Sequence, residues 1–155
     1  MRILVASDTH HDFHALKRAV ECQPSAEIVI HLGDGADDAE DVKYLFPQKM
    51  FLQVRGNCDW GSVLPYQGEY ILNKKTIFYT HGHIYQVKYG LETFIAAARD
   101  RHADIALFGH THDPMTDYRD GLYLMNPGSL SGSDGTYGIL DITPAGIVTN
   151  ILKLR

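Results

Sequence analysis

Three short runs of aliphatic and β-branched residues, Arg2–Ala6, Glu27–Leu32 and Met50–Val54, alternate with two segments of helical spacing and commit the first third of the chain to one architecture. Phe13, Leu16 and Val20 mark the first helix behind a candidate N-cap, Asp12, and Val42, Tyr44 and Leu45 mark the second. A βαβαβ start implies parallel strands joined by right-handed crossovers. Each run also ends in polar residues: Asp8 after the first, Gly33-Asp34-Gly35 after the second, and Arg55-Gly56-Asn57-Cys58-Asp59 after the third. In open α/β sheets, ligands sit at those carboxyl ends.

Past Trp60 the rhythm changes. Glu69–Leu72 and Thr76–Thr80 flank Asn73-Lys74-Lys75 as a β-hairpin whose second strand delivers His81-Gly82-His83. A helix near Leu91–Arg101 and a strand at Asp104–Phe108 lead into Gly109-His110-Thr111-His112, and strands at Leu122–Met125, Tyr137–Ile142 and Ile147–Leu152 follow. With 155 residues, 45% of them hydrophobic, the expectation is one compact domain over residues 1–155.

The formal charge of −5 denies the chain a basic surface, so long nucleic acid is not an expected partner. Apolar stretches such as Ile105–Phe108 fall far short of the roughly 20 residues that cross a bilayer. No membrane partner is expected, and the early turn to polar residues after Ala6 points to a cytoplasmic location. Two cysteines build neither a disulfide framework nor a thiolate zinc site, whereas nine histidines are unusual.

The candidate chemistry lies in a few spacings. On extended backbone, alternate residues face one side roughly 6.6 Å apart. Asp8 and His10 can then share one ion, and His110 and His112 can reach the same ion or two adjacent ones. Asp34 sits on a glycine-flanked turn that lets backbone approach a metal, and its carboxylate can bridge two cations. Asn57 adds an amide oxygen and His81 a further nitrogen. Oxygen and imidazole donors suit manganese, iron, zinc or nickel, and the set is large enough for two divalent ions.

Around this set, His83 contacts substrate or metal, or hydrogen-bonds to a ligand; Asp59 orients the centre or caps a loop. Asn126-Pro127-Gly128 lines the pocket or simply turns the chain. Asp37, Asp38, Glu40 and Asp41 read as an exposed first helical turn. His14 and His102 read as surface residues, and Tyr66, Tyr70, Tyr79, Tyr85 and Tyr89 as core packing or a stacking surface.

The order Asp8-x-His10, Gly33-Asp34, Gly56-Asn57-Cys58-Asp59, His81-Gly82-His83 and Gly109-His110-Thr111-His112 resembles the calcineurin-type metallophosphoesterase family over nearly the whole chain. More narrowly, it is similar to small bacterial and archaeal phosphodiesterases with Gly-Asn-Cys-Asp and a later Asn126-Pro127-Gly128-Ser129. The resemblance implies an α/β fold of four α-β-β-α layers, two mixed β-sheets packed face to face between helices. It implies that Asp8, His10, Asp34 and His112 surround one metal, and Asp34, Asn57, His81 and His110 the other. Manganese is the first expectation, with nickel, iron or zinc as alternatives.

The implied activity is hydrolysis of a small phosphodiester by a hydroxide bridging the two metals. Many relatives carry a histidine where this chain has Cys58, and that histidine protonates the leaving oxygen. Cys58 is a poorer acid, which favours substrates with good leaving groups. His11 stands where a glycine is more usual; it contacts substrate, donates a proton, or is a solvated loop residue. Asn57, Cys58, His11 and His83 are the substrate-contact candidates, and the loops 60–67 and 84–90 the place to look for specificity. Alternatives are a phosphomonoesterase, a nuclease, or a non-catalytic scaffold such as the trafficking subunit of this family, which lacks a full ligand set. Homo-oligomerisation is compatible with the sequence.

Overall fold

The computed structural model describes residues 1–155. Ten strands and three α-helices are present, with two single-turn 3-10 helices at His83–Tyr85 and Val87–Tyr89: β1 (Arg2–Ala6), α1 (Phe13–Cys22), β2 (Ala26–His31), α2 (Ala36–Leu45), β3 (Met50–Gln53), β4 (Gln67–Leu72), β5 (Lys75–Thr80), α3 (Glu92–Asp100), β6 (Ile105–Leu107), β7 (Met115–Arg119), β8 (Leu122–Asn126), β9 (Thr136–Thr143) and β10 (Gly146–Lys153). They form two five-stranded mixed sheets, ordered β10-β9-β1-β2-β3 and β4-β5-β6-β8-β7. β1, β2 and β3 pair in parallel, as do β5, β6 and β8.

Period-two alternation explains the layering. Along β1, Ile3 and Val5 point one way, into a core with Ile28 and Ile30 of β2 and Ile77, Ile105, Leu107 and Met125 of the other sheet. Leu4 and Ala6 point the other way, against Ala15, Leu16, Ala19 and Val20 of α1 and Ala39 and Val42 of α2. The outer face of the second sheet buries Phe78, Ala106 and Leu124 against Phe94, Ala97 and Ala98 of α3. Four layers result, as the family resemblance implies. Asp12 caps α1 as expected, its Oδ1 accepting the Ala15 N–H at 3.0 Å.

One strand escaped the sequence reading. β7 pairs antiparallel with β8 at a sheet edge, and its residues Met115-Thr116-Asp117-Tyr118-Arg119 alternate without a hydrophobic face. The hairpin turn is tighter than expected: Leu72 pairs with Lys75, leaving Asn73 and Lys74 at φ 50° and 64°. No helix is long and apolar enough to cross a membrane.

Candidate metal centre

The carboxyl ends of β1, β2 and β3 in one sheet, and of β5 and β6 in the other, open onto a common point. Asp8 and His10 follow β1, Asp34 follows β2, Asn57 follows β3, His81 follows β5, and His110 and His112 follow β6. All seven candidates are brought together. The Asp8 Oδ1 lies 3.1 Å from His112 Nε2, 3.5 Å from His10 Nε2 and 3.9 Å from His81 Nε2. Asp34 Oδ2 lies 3.3 Å from His81 Nε2 and 3.9 Å from His10 Nε2. His81 Nε2 is 3.0 Å from Asn57 Oδ1 and 3.2 Å from His110 Nδ1.

The route to this convergence corrects one expectation. Asp8, His10, His110 and His112 do not share a face by lying on extended backbone: their φ angles are 55°, 44°, 70° and 65°, and Asp34 has 58°. Left-handed backbone at a non-glycine residue is uncommon and costly, and it persists only where surrounding structure over-determines it. Here the surroundings are a mesh of hydrogen bonds. Asp8 N–H donates to the Gly33 carbonyl at 2.9 Å and His10 N–H to the Asp34 carbonyl at 2.9 Å. The His110 N–H donates to Asp8 Oδ2 at 3.1 Å, and the Ser7 hydroxyl donates to the same oxygen.

Asp59 settles the choice between orienting the centre and capping a loop, because it does both. Its carboxylate accepts the backbone N–H groups of Asp34, Gly35, Ala36 and Gly56 at 2.8–3.1 Å, which caps the start of α2 and ties the Asp34 turn to the Asn57 loop. The approach is close enough to demand glycine at position 56: a Cβ there meets Asp34 Oδ1 at 2.0 Å. Asn126 and Ser129 likewise position rather than line. The Asn126 amide donates to the Gly109 carbonyl at 3.1 Å and the Thr111 hydroxyl at 2.9 Å, and Ser129 Oγ donates to the Asp8 carbonyl at 2.8 Å.

Two residues were misjudged or missed. Asp38 is not part of an exposed acidic turn; it is buried, accepting the Thr9 hydroxyl at 2.6 Å and the His11 N–H at 3.1 Å, and so holds the Asp8–His11 turn from below. His31, at the end of β2, is fully buried, with Nδ1 accepting the Gly33 N–H at 3.1 Å and Nε2 3.2 Å from Thr9 Oγ1. A histidine inside the run Ile28–Leu32 was the available signal, since an apolar strand gains nothing from an imidazole unless its nitrogens are used.

Electrostatics favour a cation. Asp8 is fully buried and Asp34 is 4% exposed, yet neither carboxylate meets a lysine or arginine; the only basic side chains near them are histidines. Burial works against the charged His81 imidazole, but the Asp34 and Asp8 carboxylates outweigh it and raise its pKa. Burial likewise opposes the Asp34 anion, and the His81 bond and charge reverse this, holding Asp34 well below the usual carboxylate range. Nearby, burial and the His81 charge push His110 down to about 4 and lower His83. His81 Nδ1 donates to the Leu32 carbonyl at 2.7 Å, which aims Nε2 into the centre. Buried carboxylates with converging imidazole lone pairs suit a divalent cation, which would displace the His81 proton.

Three groups have ligand atoms within 4.8 Å of one another: Asp8, His10 and His112; Asp34, His81 and His110; and His10, Asp34 and Cys58. Cys58 was expected only near substrate. Burial and the adjoining Asp34 carboxylate raise its thiol pKa. A cleft of about 600 Å³ opens from His10 and Asp34 past His11 and Cys58. His83 stands apart from the cleft, its ring 5.4 Å from that of His81 and 5.6 Å from that of Tyr66, with a buried Nδ1 that bonds to no protein group. His14 and His102 are exposed, as expected, and Tyr89 points into solvent.

Known proteins share this arrangement of elements. The chain is 31% identical over 170 residues to phosphodiesterase YfcE of Escherichia coli (strain K12), covering 91% of this chain and 88% of the relative. It is 33% identical over 101 residues to vacuolar protein sorting-associated protein 29 of Schizosaccharomyces pombe (strain 972), covering 63% of this chain and 54% of that protein. The crystal structure of a conserved Streptococcus pneumoniae TIGR4 protein, a predicted phosphoesterase, superposes with a TM-score of 0.83 at 25% identity, covering 98% of this chain and 88% of that one. The family model of the calcineurin-like phosphoesterase superfamily domain matches residues 1–144. With that match spanning both sheets as far as β9, the chain belongs to the calcineurin-like phosphoesterase superfamily.

Proposed function

We propose that this member of a phosphoester hydrolase family is a phosphodiesterase of small phosphodiesters that works with two divalent metal ions. The observation that carries the reading is the convergence of two buried carboxylates, four imidazoles and one amide with no lysine or arginine among them. Asp8, His10, Asp34 and His112 would hold one ion, and Asp34, Asn57, His81 and His110 the other. Asp34 suits the shared position because it faces both His10 and His81. When bound, such ions polarise a phosphoryl oxygen and make water a nucleophile at neutral pH.

The chain's own groups set the rest. The Leu32 carbonyl fixes the His81 tautomer, and the Asp59 and Asp38 carboxylates hold the Asp34 and Asp8 turns. Cys58, with its thiol pKa raised, is a poor proton donor to a departing oxygen. His11 is also exposed along the cleft that Cys58 lines. Weak proton donation favours esters whose alcohol leaves readily.

The test is hydrolysis of bis-p-nitrophenyl phosphate by the purified protein with manganese, nickel, iron or zinc, beside cyclic dinucleotides and oligonucleotides. Turnover of the small diesters without cleavage of oligonucleotides is expected. A scaffold role is the second reading, prompted by the likeness to the sorting-associated protein, and hydrolysis of nothing under any of these metals would favour it over the enzyme.

A further inference from the structure

The cleft that begins at His10 and Asp34 runs between the first turn of α2 and the loop from Trp60 to Leu64. That loop is held firmly from inside. The Arg55 guanidinium donates to the carbonyls of Ser62 at 2.8 Å and Asp59 at 3.2 Å, while the Arg55 N–H donates to the Pro65 carbonyl at 2.9 Å. Ser62 N–H reaches the Asp59 carbonyl at 3.2 Å, and Leu64 N–H reaches Ser62 Oγ at 3.1 Å. All of this anchoring is polar, and it leaves Trp60 88% exposed and Val63 99% exposed on the cleft side of the loop. A lone exposed apolar side chain is ordinary, but a fixed loop that displays an indole and a valine beside a reactive centre presents a contact surface.

The facing wall carries charge. Asp38 borders the cleft too, but it is buried and its Oδ2 is taken up by the Thr9 hydroxyl and the His11 N–H. Asp37 and Glu40 remain exposed; Glu40 receives one amide bond from Gln53 at 3.0 Å, and Asp37 makes none within the fold. The cleft therefore offers an exposed indole on one side and two exposed carboxylates on the other, adjoining the point where phosphorus would sit.

We propose that this cleft receives the second ester arm of the phosphodiester, and that the arm carries an organic cation, an ammonium or quaternary ammonium group a few bonds from phosphorus. The proposal rests on the phosphodiesterase reading and names its substrate class. An ammonium group over the Trp60 ring gains a cation–π contact, for which tryptophan is the best partner, and Asp37 and Glu40 complement its charge. A neutral aryl arm uses the indole but wastes both carboxylates. An arm with a second phosphate meets their repulsion and is a slower substrate than a cationic one.

Three p-nitrophenyl diesters with ethyl, choline and phenyl arms share one leaving group and separate the possibilities. With manganese-loaded protein, the choline diester is expected to show kcat/KM at least tenfold above the ethyl diester, mainly through KM. In Trp60→Ala, and in Asp37→Asn combined with Glu40→Gln, that ratio is expected to fall to near one. Trp60 is the only tryptophan, so its fluorescence reports occupancy without turnover: phosphocholine is expected to perturb it and ethyl phosphate to leave it unchanged. Equal rates for choline and ethyl arms, a preference that survives both variants, or a phenyl preference lost only in Trp60→Ala would each overturn the cationic arm. Hydrolysis of the ethyl diester without any arm preference sinks this inference alone, whereas no hydrolysis of any diester sinks the phosphodiesterase reading beneath it.

Discussion

Five of the seven side chains proposed to hold metal sit on left-handed backbone, so the centre stores strain that hydrogen bonds must repay. Cys58 carries a prediction about the range of the proposed reaction. Its raised thiol pKa makes it a weak acid, and an imidazole in its place would titrate near neutral pH. Cys58→His is expected to raise turnover of p-nitrophenyl phosphate and alkyl phosphomonoesters by roughly tenfold or more, the scale of a gained general acid. Monoester rates equal to the parent's would refute this role for Cys58. His31 makes a pH prediction. Burial lowers its pKa to about 4, with the nearby carboxylates of Asp59, Asp8 and Asp38 only partly opposing the shift. The folded state keeps the ring neutral while the unfolded chain protonates it near 6.5, so its stabilising contribution is complete above about pH 6.5 and is lost as pH falls toward 4. The loss is on the order of 3 kcal/mol. Urea titrations of the parent and His31→Gln across pH 7 to 4 check it, because the variant should lose less stability over that window.

At the scale of elements, the strands act as rails that end where chemistry is needed, and the opposite ends are free to be ordinary. The β4–β5 turn is one such end. Lys74 adopts φ 64° in a two-residue turn of the type that favours Asn-Gly, and Asn73 already fills the first place. A left-handed lysine costs about 1–2 kcal/mol, of which glycine recovers part after its larger unfolded-state entropy. Lys74→Gly is expected to raise Tm by roughly 1–3 °C in calorimetry without altering diesterase rates. A lower Tm would mean that the lysine stem contributes packing that outweighs its backbone strain. The same scale explains why β7 was missed: an edge strand with Thr116, Tyr118 and Arg119 exposed has no buried face to write a period-two signal.

For the whole molecule, the centre lies across the join of two sheets, so a bound cation ties one sheet to the other. Saturating manganese is expected to stabilise the fold by about 2.7 kcal/mol at a hundredfold excess over Kd, seen as a Tm rise of several degrees. Asp34→Asn should abolish most of that rise together with turnover. A rise that persists unchanged in the variant would remove Asp34 from its shared position. Much of this molecule was legible beforehand: strand period, helix spacing, the Asp12 cap and the placing of motifs after strands all follow from neighbours a few residues apart. What the linear pattern could not contain was the left-handed turns that aim Asp8, His10, His110 and His112, the inward rotation of Asp38, the four N–H groups gathered by Asp59, and the nearness of Cys58 to His10 and Asp34. Those depend on sheet register and on contacts between residues as far apart as Asp8 and His110, which no local period records. Local chemistry chose the elements, and only their packing decided which polar atoms would meet.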